Sequence, residues 1–104
     1  MVCDSRNQTF LKVLLICSAG ITETSGVVSI TTSEDIWLGS CGSVLPSIEV
    51  RLVTPTGKEV EQYNEPGELL IRSPTVVLGY LSNPDATRKT FRDGWVWTGD
   101  VAII

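Results

Sequence analysis

The feature that most constrains the fold is the stretch from Gly67 to Asp100. Near its start Leu69 and Ile71 alternate with polar residues, a pattern typical of a half-buried strand. Pro74 ends this strand, because proline has no N–H to donate to a sheet. The stretch therefore begins with a short strand, which the chain leaves by an irregular crossing.

A short helix is predicted in the middle of the stretch. Asn83 is a favourable N-cap, Pro84 suits the first helical position, and Asp85 lies where the positive end of the helix dipole favours an acid. Asp93-Gly94 is predicted to end the helix and to turn the chain.

Two tryptophans, Trp95 and Trp97, alternate on one face of a predicted final strand that runs into a turn, Thr98-Gly99-Asp100. Large aromatic side chains spaced in this way are more often core than a stacking platform for a ligand. Tyr80 is likewise expected to pack, with its hydroxyl bonded to a polar group. We therefore assign these aromatic residues to the core.

The residues before this stretch predict further strands. Ile48, Val50 and Leu52 alternate with polar residues, and the turn signal Pro55-Thr56-Gly57 separates them from the next alternating run, which indicates an antiparallel pair. A β-branched run, Val27–Thr32, predicts another strand. The fold class predicted from these patterns is mainly β with one short helix.

Composition narrows the possible functions. The 104-residue chain carries a net charge of −4 and has no run of Lys or Arg, which argues against a nucleic-acid surface. It has no histidine, which excludes Ser–His and Cys–His catalytic pairs and His-ligated metal sites. Cys3, Cys17 and Cys41 are widely spaced without a CxxC pair, which favours free thiols and a cytoplasmic location.

The apolar segment Phe10–Cys17 has two interpretations, a signal peptide and a buried strand. We favour the buried strand, because the apolar run is short and Asp4 precedes it. The run is also too short to span a bilayer, so no membrane span is predicted.

Six short motifs together resemble the adenylate-forming superfamily, which comprises acyl-CoA synthetases, 4-coumarate-CoA-ligase-like enzymes and luciferases. They are Gly20-Ile21-Thr22-Glu23-Thr24-Ser25, Gly67-Glu68-Leu69, Gly79-Tyr80, the segment Asn83–Thr87, Asp93-Gly94-Trp95 and Thr98-Gly99-Asp100. The resemblance implies that the chain folds as the β-barrel-like subdomain of the family's large N-terminal domain. It divides the chain into residues 1–19, an unmatched N-terminal segment, and residues 20–104, a partial AMP-binding (adenylation) domain.

The resemblance also implies a nucleotide site drawn from two motifs. Thr22 and Glu23 are the implied catalytic residues: Thr22 would contact the α-phosphate, and Glu23 would bind Mg²⁺, which prefers hard oxygen ligands. Gly20, Thr22 and Asp100 would bind the nucleotide, with both oxygens of the Asp100 carboxylate accepting from the ribose hydroxyls. The plainer interpretation is that these are polar or solvated turn residues.

The function implied is that of an ATP-dependent acid–CoA ligase, which makes an acyl-adenylate from ATP and a carboxylic acid and then transfers the acyl group to CoA. Its cofactors would be ATP/AMP, Mg²⁺ and CoA, its partners a nucleotide and a hydrophobic or aromatic acid, and some full-length relatives would be peroxisomal.

Departures from the family pattern limit what this chain is expected to do. Ala19 stands where the family has an aromatic residue that stacks on adenine. The phosphate-loop lysine, the arginine on the ribose and the C-terminal domain with its lysine have no counterpart. We therefore expect a fragment of the domain that is inactive alone. The alternative is a non-catalytic remnant that binds a nucleotide or a partner.

Overall fold

The computed structural model describes residues 18–34, 37 and 39–104. The elements in chain order are β1 Ser18–Ile21, a 3₁₀ turn Thr22–Thr24, β2 Gly26–Ile30, β3 Ser43–Val44, β4 Glu49–Val53, β5 Gly67–Arg72, α1 Pro84–Thr90, β6 Phe91–Arg92 and β7 Trp95–Ala102. The prediction of a mainly β fold with one short helix is confirmed. The predictions for Cys3 and for the segment 10–17 lie outside the described residues.

The strands form two antiparallel sheets. One has the order β1-β2-β3 and the other the order β4-β5-β7-β6. The resemblance implies a barrel-like subdomain, and in the described part of the chain these two sheets remain open rather than closing into a barrel.

The predicted antiparallel pair is β4 with β5, in which Val50 lies opposite Ile71 and Leu52 opposite Leu69. Because side chains alternate between the faces of a sheet, these residues all lie on one face. A buried cluster forms there with the three-stranded sheet and contains Val28, Ile71 and Val96. The main core therefore joins the two sheets.

Helix α1 begins as predicted. The side-chain oxygen of Asn83 accepts a hydrogen bond from the backbone N–H of Ala86 at 3.1 Å, and Pro84 is the first helical residue. The helix has seven residues, and no helix in the described ranges is long and apolar enough to cross a membrane.

The predicted end of the helix is wrong by three residues, because α1 stops at Thr90 and β6 follows it directly. Asp93 and Gly94 form instead the turn between β6 and β7, with φ angles of 54° and 79°. Two successive left-handed residues match the twist of a two-residue hairpin, and Asp-Gly is a favoured sequence for it.

The two tryptophans lie on the second face of the four-stranded sheet. Trp95 is buried, as predicted, whereas Trp97 is only half-buried. The guanidinium groups of Arg51 and Arg72 each lie 4.6 Å from the Trp95 ring centroid, and that of Arg92 lies 3.7 Å from the Trp97 ring centroid. Arginines on aromatic faces therefore cover this side of the sheet.

Candidate functional site

The 3₁₀ turn Thr22–Thr24 follows β1 and is held from inside the fold. Thr24 is 1% exposed, and its hydroxyl lies within hydrogen-bonding distance of the carbonyl oxygens of Ile21, at 2.9 Å, and Gly26, at 3.1 Å. The turn is thereby fixed through its buried threonine. Its other two residues face outward, Thr22 exposed and Glu23 half-buried.

Gly20 has a packing role that does not depend on a ligand. A β-carbon at this position would lie 2.3 Å from the carbonyl oxygen of Gly26, closer than atoms can approach. Glycine is therefore required where β1 meets the start of β2.

Glu23 is bound by a segment far along the chain. Its carboxylate accepts a hydrogen bond from the hydroxyl of Tyr80, and its backbone carbonyl accepts one from the N–H of Val77 at 2.9 Å. The hydrogen bond to Glu23 raises the pKa of Tyr80, because it stabilises the protonated phenol. The Tyr80 ring also packs against Phe91, with 5.7 Å between the ring centroids.

Thr98-Gly99-Asp100 is a bulge within β7, so the prediction of a turn beyond the strand is wrong. Leu70 pairs with Trp97 and Glu68 with Val101, which leaves the three motif residues opposite a single residue of β5. Gly99 has a φ of 75°, a conformation that side chains disfavour. Bulges of this kind change the direction of a side chain and are frequent beside active sites.

The bulge is fixed by hydrogen bonds to its backbone. The Thr98 hydroxyl donates to the carbonyl oxygen of Leu69 at 2.8 Å and accepts from the N–H of Asp100 at 3.1 Å, while the N–H of Gly99 donates to a Glu68 carboxylate oxygen at 3.2 Å. The Asp100 side chain is exposed, and its carboxylate makes no hydrogen bond to another described residue.

A cavity of about 730 Å³ lies between the two sheets. Gly20 and Asp100 both line it, as does Ala19, for which the family resemblance predicts the position of the adenine-stacking aromatic residue. Thr22 and Glu23 do not line it. The fold thus brings two of the four predicted site residues to one cavity and directs Glu23 towards Tyr80.

The donors available for a metal ion are few. Within residues 18–34, 37 and 39–104 there is no group of three or more His, Cys, Asp or Glu side chains that could hold a metal ion. Mg²⁺ needs no such group, because it typically keeps several waters and takes one or two carboxylates together with phosphate oxygens. Glu23, with one carboxylate oxygen bonded to Tyr80, fits that requirement.

One partner of Tyr80 could not be predicted from the sequence. The prediction that Tyr80 packs and bonds a polar group is confirmed, but its partner, Glu23, is 57 residues away and could not be named. The available signal was the presence of both residues in motifs of one family.

Comparison with known proteins identifies a matching family and relatives that are CoA ligases. The family described as "AMP-binding enzyme" matches residues 3–81. The matched range begins before Gly20 and so includes part of the N-terminal segment in which we found no family motif. The division of the chain at residue 20 stays a prediction.

Two curated relatives illustrate the similarity. The acyl-CoA ligase lcsD of Purpureocillium lilacinum is 46% identical over 101 residues, which cover 92% of this chain and 26% of that protein. A long-chain-fatty-acid–CoA ligase of Escherichia coli O157:H7 is 42% identical over 86 residues, which cover 82% of this chain and 15% of the enzyme. The chain thus spans a small part of these relatives.

Two solved structures of similar fold contain a nucleotide or an acyl-adenylate. The anthranilate CoA ligase AuaEII, in complex with anthranoyl-AMP, has a TM-score of 0.80 at 35% identity over 86% of this chain and 17% of its own. The O-succinylbenzoate CoA synthetase MenE of Bacillus subtilis, in complex with ATP and a magnesium ion, has a TM-score of 0.78 at 30% identity. The match covers 86% of this chain and 19% of the MenE chain.

Proposed function

The chain belongs to the AMP-binding enzyme family, and from this premise we propose that it forms part of the nucleotide site of an ATP-dependent acid–CoA ligase. The relatives compared with it are acyl-CoA ligases and acid–CoA ligases. Because the chain spans 26% of the lcsD sequence, we assign to it nucleotide binding and not the whole reaction.

The observation that carries the proposal is that Gly20 and Asp100 line one cavity. These residues belong to two motifs that are 80 positions apart in the chain and that the family resemblance assigns to the same nucleotide. Gly20 in β1 and Asp100 in β7 belong to different sheets, and their meeting at one cavity supports a common ligand.

Asp100 is proposed to bind the ribose. Its carboxylate is exposed, bonded to no other described residue, and adjacent to the cavity. An ionised carboxylate offers two acceptor oxygens, which suits the two neighbouring hydroxyls of a ribose. The bulge around Gly99 fixes the backbone from which this side chain projects.

Thr22 and Glu23 are proposed to act at the phosphates. The exposed hydroxyl of Thr22 can donate to an α-phosphate oxygen, and Glu23 would hold Mg²⁺ by its carboxylate. When bound, the metal neutralises phosphate charge. Both residues lie on the turn that follows Gly20, so they would contact the nucleotide beyond the cavity.

The proposed reaction of the complete enzyme has two steps. An oxygen of the acid forms a bond to the α-phosphorus of ATP while the bond to pyrophosphate breaks, which gives an acyl-adenylate. The CoA thiol then takes the acyl group, releasing AMP and the thiol proton. In this scheme Thr22, Glu23 and Asp100 position the nucleotide, and much of the acceleration comes from positioning and electrostatic stabilisation.

Calorimetric titration of the chain with AMP tests the proposal. We expect binding that Asp100→Ala weakens at least about tenfold, since a hydrogen bond to a charged group contributes about 1.5–3 kcal/mol. Glu61→Ala removes an exposed carboxylate elsewhere and should leave AMP binding unchanged. If Asp100→Ala and the unaltered chain bind AMP equally, the ribose assignment fails.

An assay of ATP–pyrophosphate exchange with a panel of carboxylic acids tests the limit of the proposal. We expect no acid-dependent exchange by the 104-residue chain alone, because it spans 15–26% of the curated relatives cited above. Acid-dependent exchange would contradict this. The acid recognised and the cytoplasmic location stay predictions.

A further inference from the structure

The hydroxyl of Tyr80 donates a hydrogen bond to the carboxylate of Glu23 across 57 residues of sequence. Tyr80 lies in the segment between β5 and α1, and Glu23 lies on the turn between β1 and β2. The same segment also binds the Glu23 backbone, through the N–H of Val77. Glu23 is thus held at both its main chain and its side chain by a single distant segment.

Tyr80 is itself fixed by helix α1 and the strand that follows it. Its backbone N–H donates to the Thr87 hydroxyl at 2.9 Å, and that hydroxyl donates to the carbonyl oxygen of Asn83 at 2.9 Å. Its ring packs on Phe91. The phenol therefore reaches Glu23 from a support that does not depend on the turn.

We propose that Tyr80 is a positioning residue for Glu23: its hydroxyl fixes one carboxylate oxygen and leaves the other for a metal–nucleotide ligand. The inference rests on the proposed function, which takes Glu23 as the ligand of Mg²⁺. No other described residue bonds the Glu23 carboxylate. Tyr80 therefore supplies the restraint on its orientation.

The expected consequence is a change in metal affinity. A ligand side chain whose orientation is fixed by a hydrogen bond loses less freedom when the metal binds, and removing such a partner typically costs about 10-fold to 100-fold in affinity. Tyr80→Phe removes the hydroxyl and keeps the ring that packs on Phe91.

The test is the affinity for Mn²⁺ in the presence of ATP, followed by the electron paramagnetic resonance of free Mn²⁺. The unaltered chain, Tyr80→Phe, Glu23→Gln and the double variant are compared. We expect Tyr80→Phe to weaken Mn²⁺ binding about tenfold and to have no further effect when Glu23 is already glutamine. Tyr63→Phe is the matched control, because Tyr63 is 81% exposed, and it should not change the affinity.

The outcomes distinguish the metal role proposed for Glu23 from the positioning role proposed for Tyr80. If Glu23→Gln weakens Mn²⁺ binding and Tyr80→Phe does not, Glu23 remains the ligand and the positioning role is overturned. If Tyr80→Phe weakens binding equally with glutamine at position 23, its effect is structural and the inference fails. If Glu23→Gln has no effect, or if Mn²⁺ with ATP does not bind, the metal role proposed for Glu23 fails and the inference falls with it.

A second variant keeps the test decisive if near-ultraviolet circular dichroism shows that Tyr80→Phe does not fold. Thr87→Val keeps the Tyr80 hydroxyl but removes the acceptor of the Tyr80 backbone N–H, which weakens the support that positions the phenol. We expect a smaller loss of Mn²⁺ affinity, again absent in the Glu23→Gln background. An unchanged affinity would overturn the inference.

Discussion

The turn that carries Glu23 and the bulge that carries Asp100 fix their carboxylates in opposite ways. A hydroxyl from a distant segment binds the Glu23 side chain, whereas Asp100 is fixed through its backbone N–H and its carboxylate makes no hydrogen bond within the described ranges. The turn depends on packing between parts of the chain that are far apart in sequence. The bulge depends on the backbone conformation of its three residues and on their hydrogen bonds to the neighbouring strand β5, so different substitutions should disrupt the two regions.

The largest loss is expected in β1, the strand that leads into the turn. Gly20→Ala would place a β-carbon 2.3 Å from a backbone oxygen, and backbone cannot move aside as a side-chain end can. We expect the free energy of unfolding, measured in urea, to fall by about 3 kcal/mol, the upper end of what overpacking usually costs. Unfolding at an unchanged urea concentration would show that the close approach of β1 and β2 is not required.

A smaller loss is expected for the same substitution in the bulge. No atom lies within 4 Å of a β-carbon built on Gly99, so Gly99→Ala meets no clash and the cost comes from its φ of 75°. For a non-glycine residue in left-handed geometry this cost is about 1–2 kcal/mol. Gly99→Asn should cost less, because asparagine tolerates that geometry better. Equal losses for the two variants would mean that backbone conformation is not the cause.

The local features of the fold were accessible from the sequence. The strand alternation at Val50 and Leu52 and the cap at Asn83 depend on neighbouring residues, and each was predicted correctly. The end of the helix was not, because Asp93-Gly94 is a signal both for a helix end and for a hairpin. Only the pairing of β6 with β7 decides between them.

The candidate site was predictable only as a set of residues. Motif resemblance named Gly20, Glu23 and Asp100, but composition and periodicity contain no information on which cavity or partner each side chain meets. The bulge was missed because the register of β7 is set by its pairing with β5 over residues beyond the motif. The bond between Tyr80 and Glu23 requires the positions of two separate segments, which no local pattern specifies.

Thr98→Val tests whether the Thr98 hydroxyl fixes the bulge to β5. The substitution removes a hydroxyl that both donates to Leu69 and accepts from Asp100, so one partly buried carbonyl oxygen loses its side-chain donor. We expect a loss of about 1 kcal/mol in the free energy of unfolding and a weaker affinity for AMP, because the Asp100 backbone is released. Thr32→Val, at an exposed position, is the control and should change neither quantity.

The smallest expected effect is a dependence of the free energy of unfolding on alkaline pH, which should come from the turn and not from the bulge. The hydrogen bond to Glu23 raises the pKa of Tyr80 above the ordinary value of 10.0, so this contribution to stability is fully present below pH 10 and is lost as the pH rises through the raised value. Urea unfolding at increasing alkaline pH should show this loss in the unaltered chain and in Asp100→Asn, but not in Tyr80→Phe. An identical alkaline profile for Tyr80→Phe would show that the contact does not contribute to the stability of the turn, and the contrast between the two carboxylates would then rest on geometry alone.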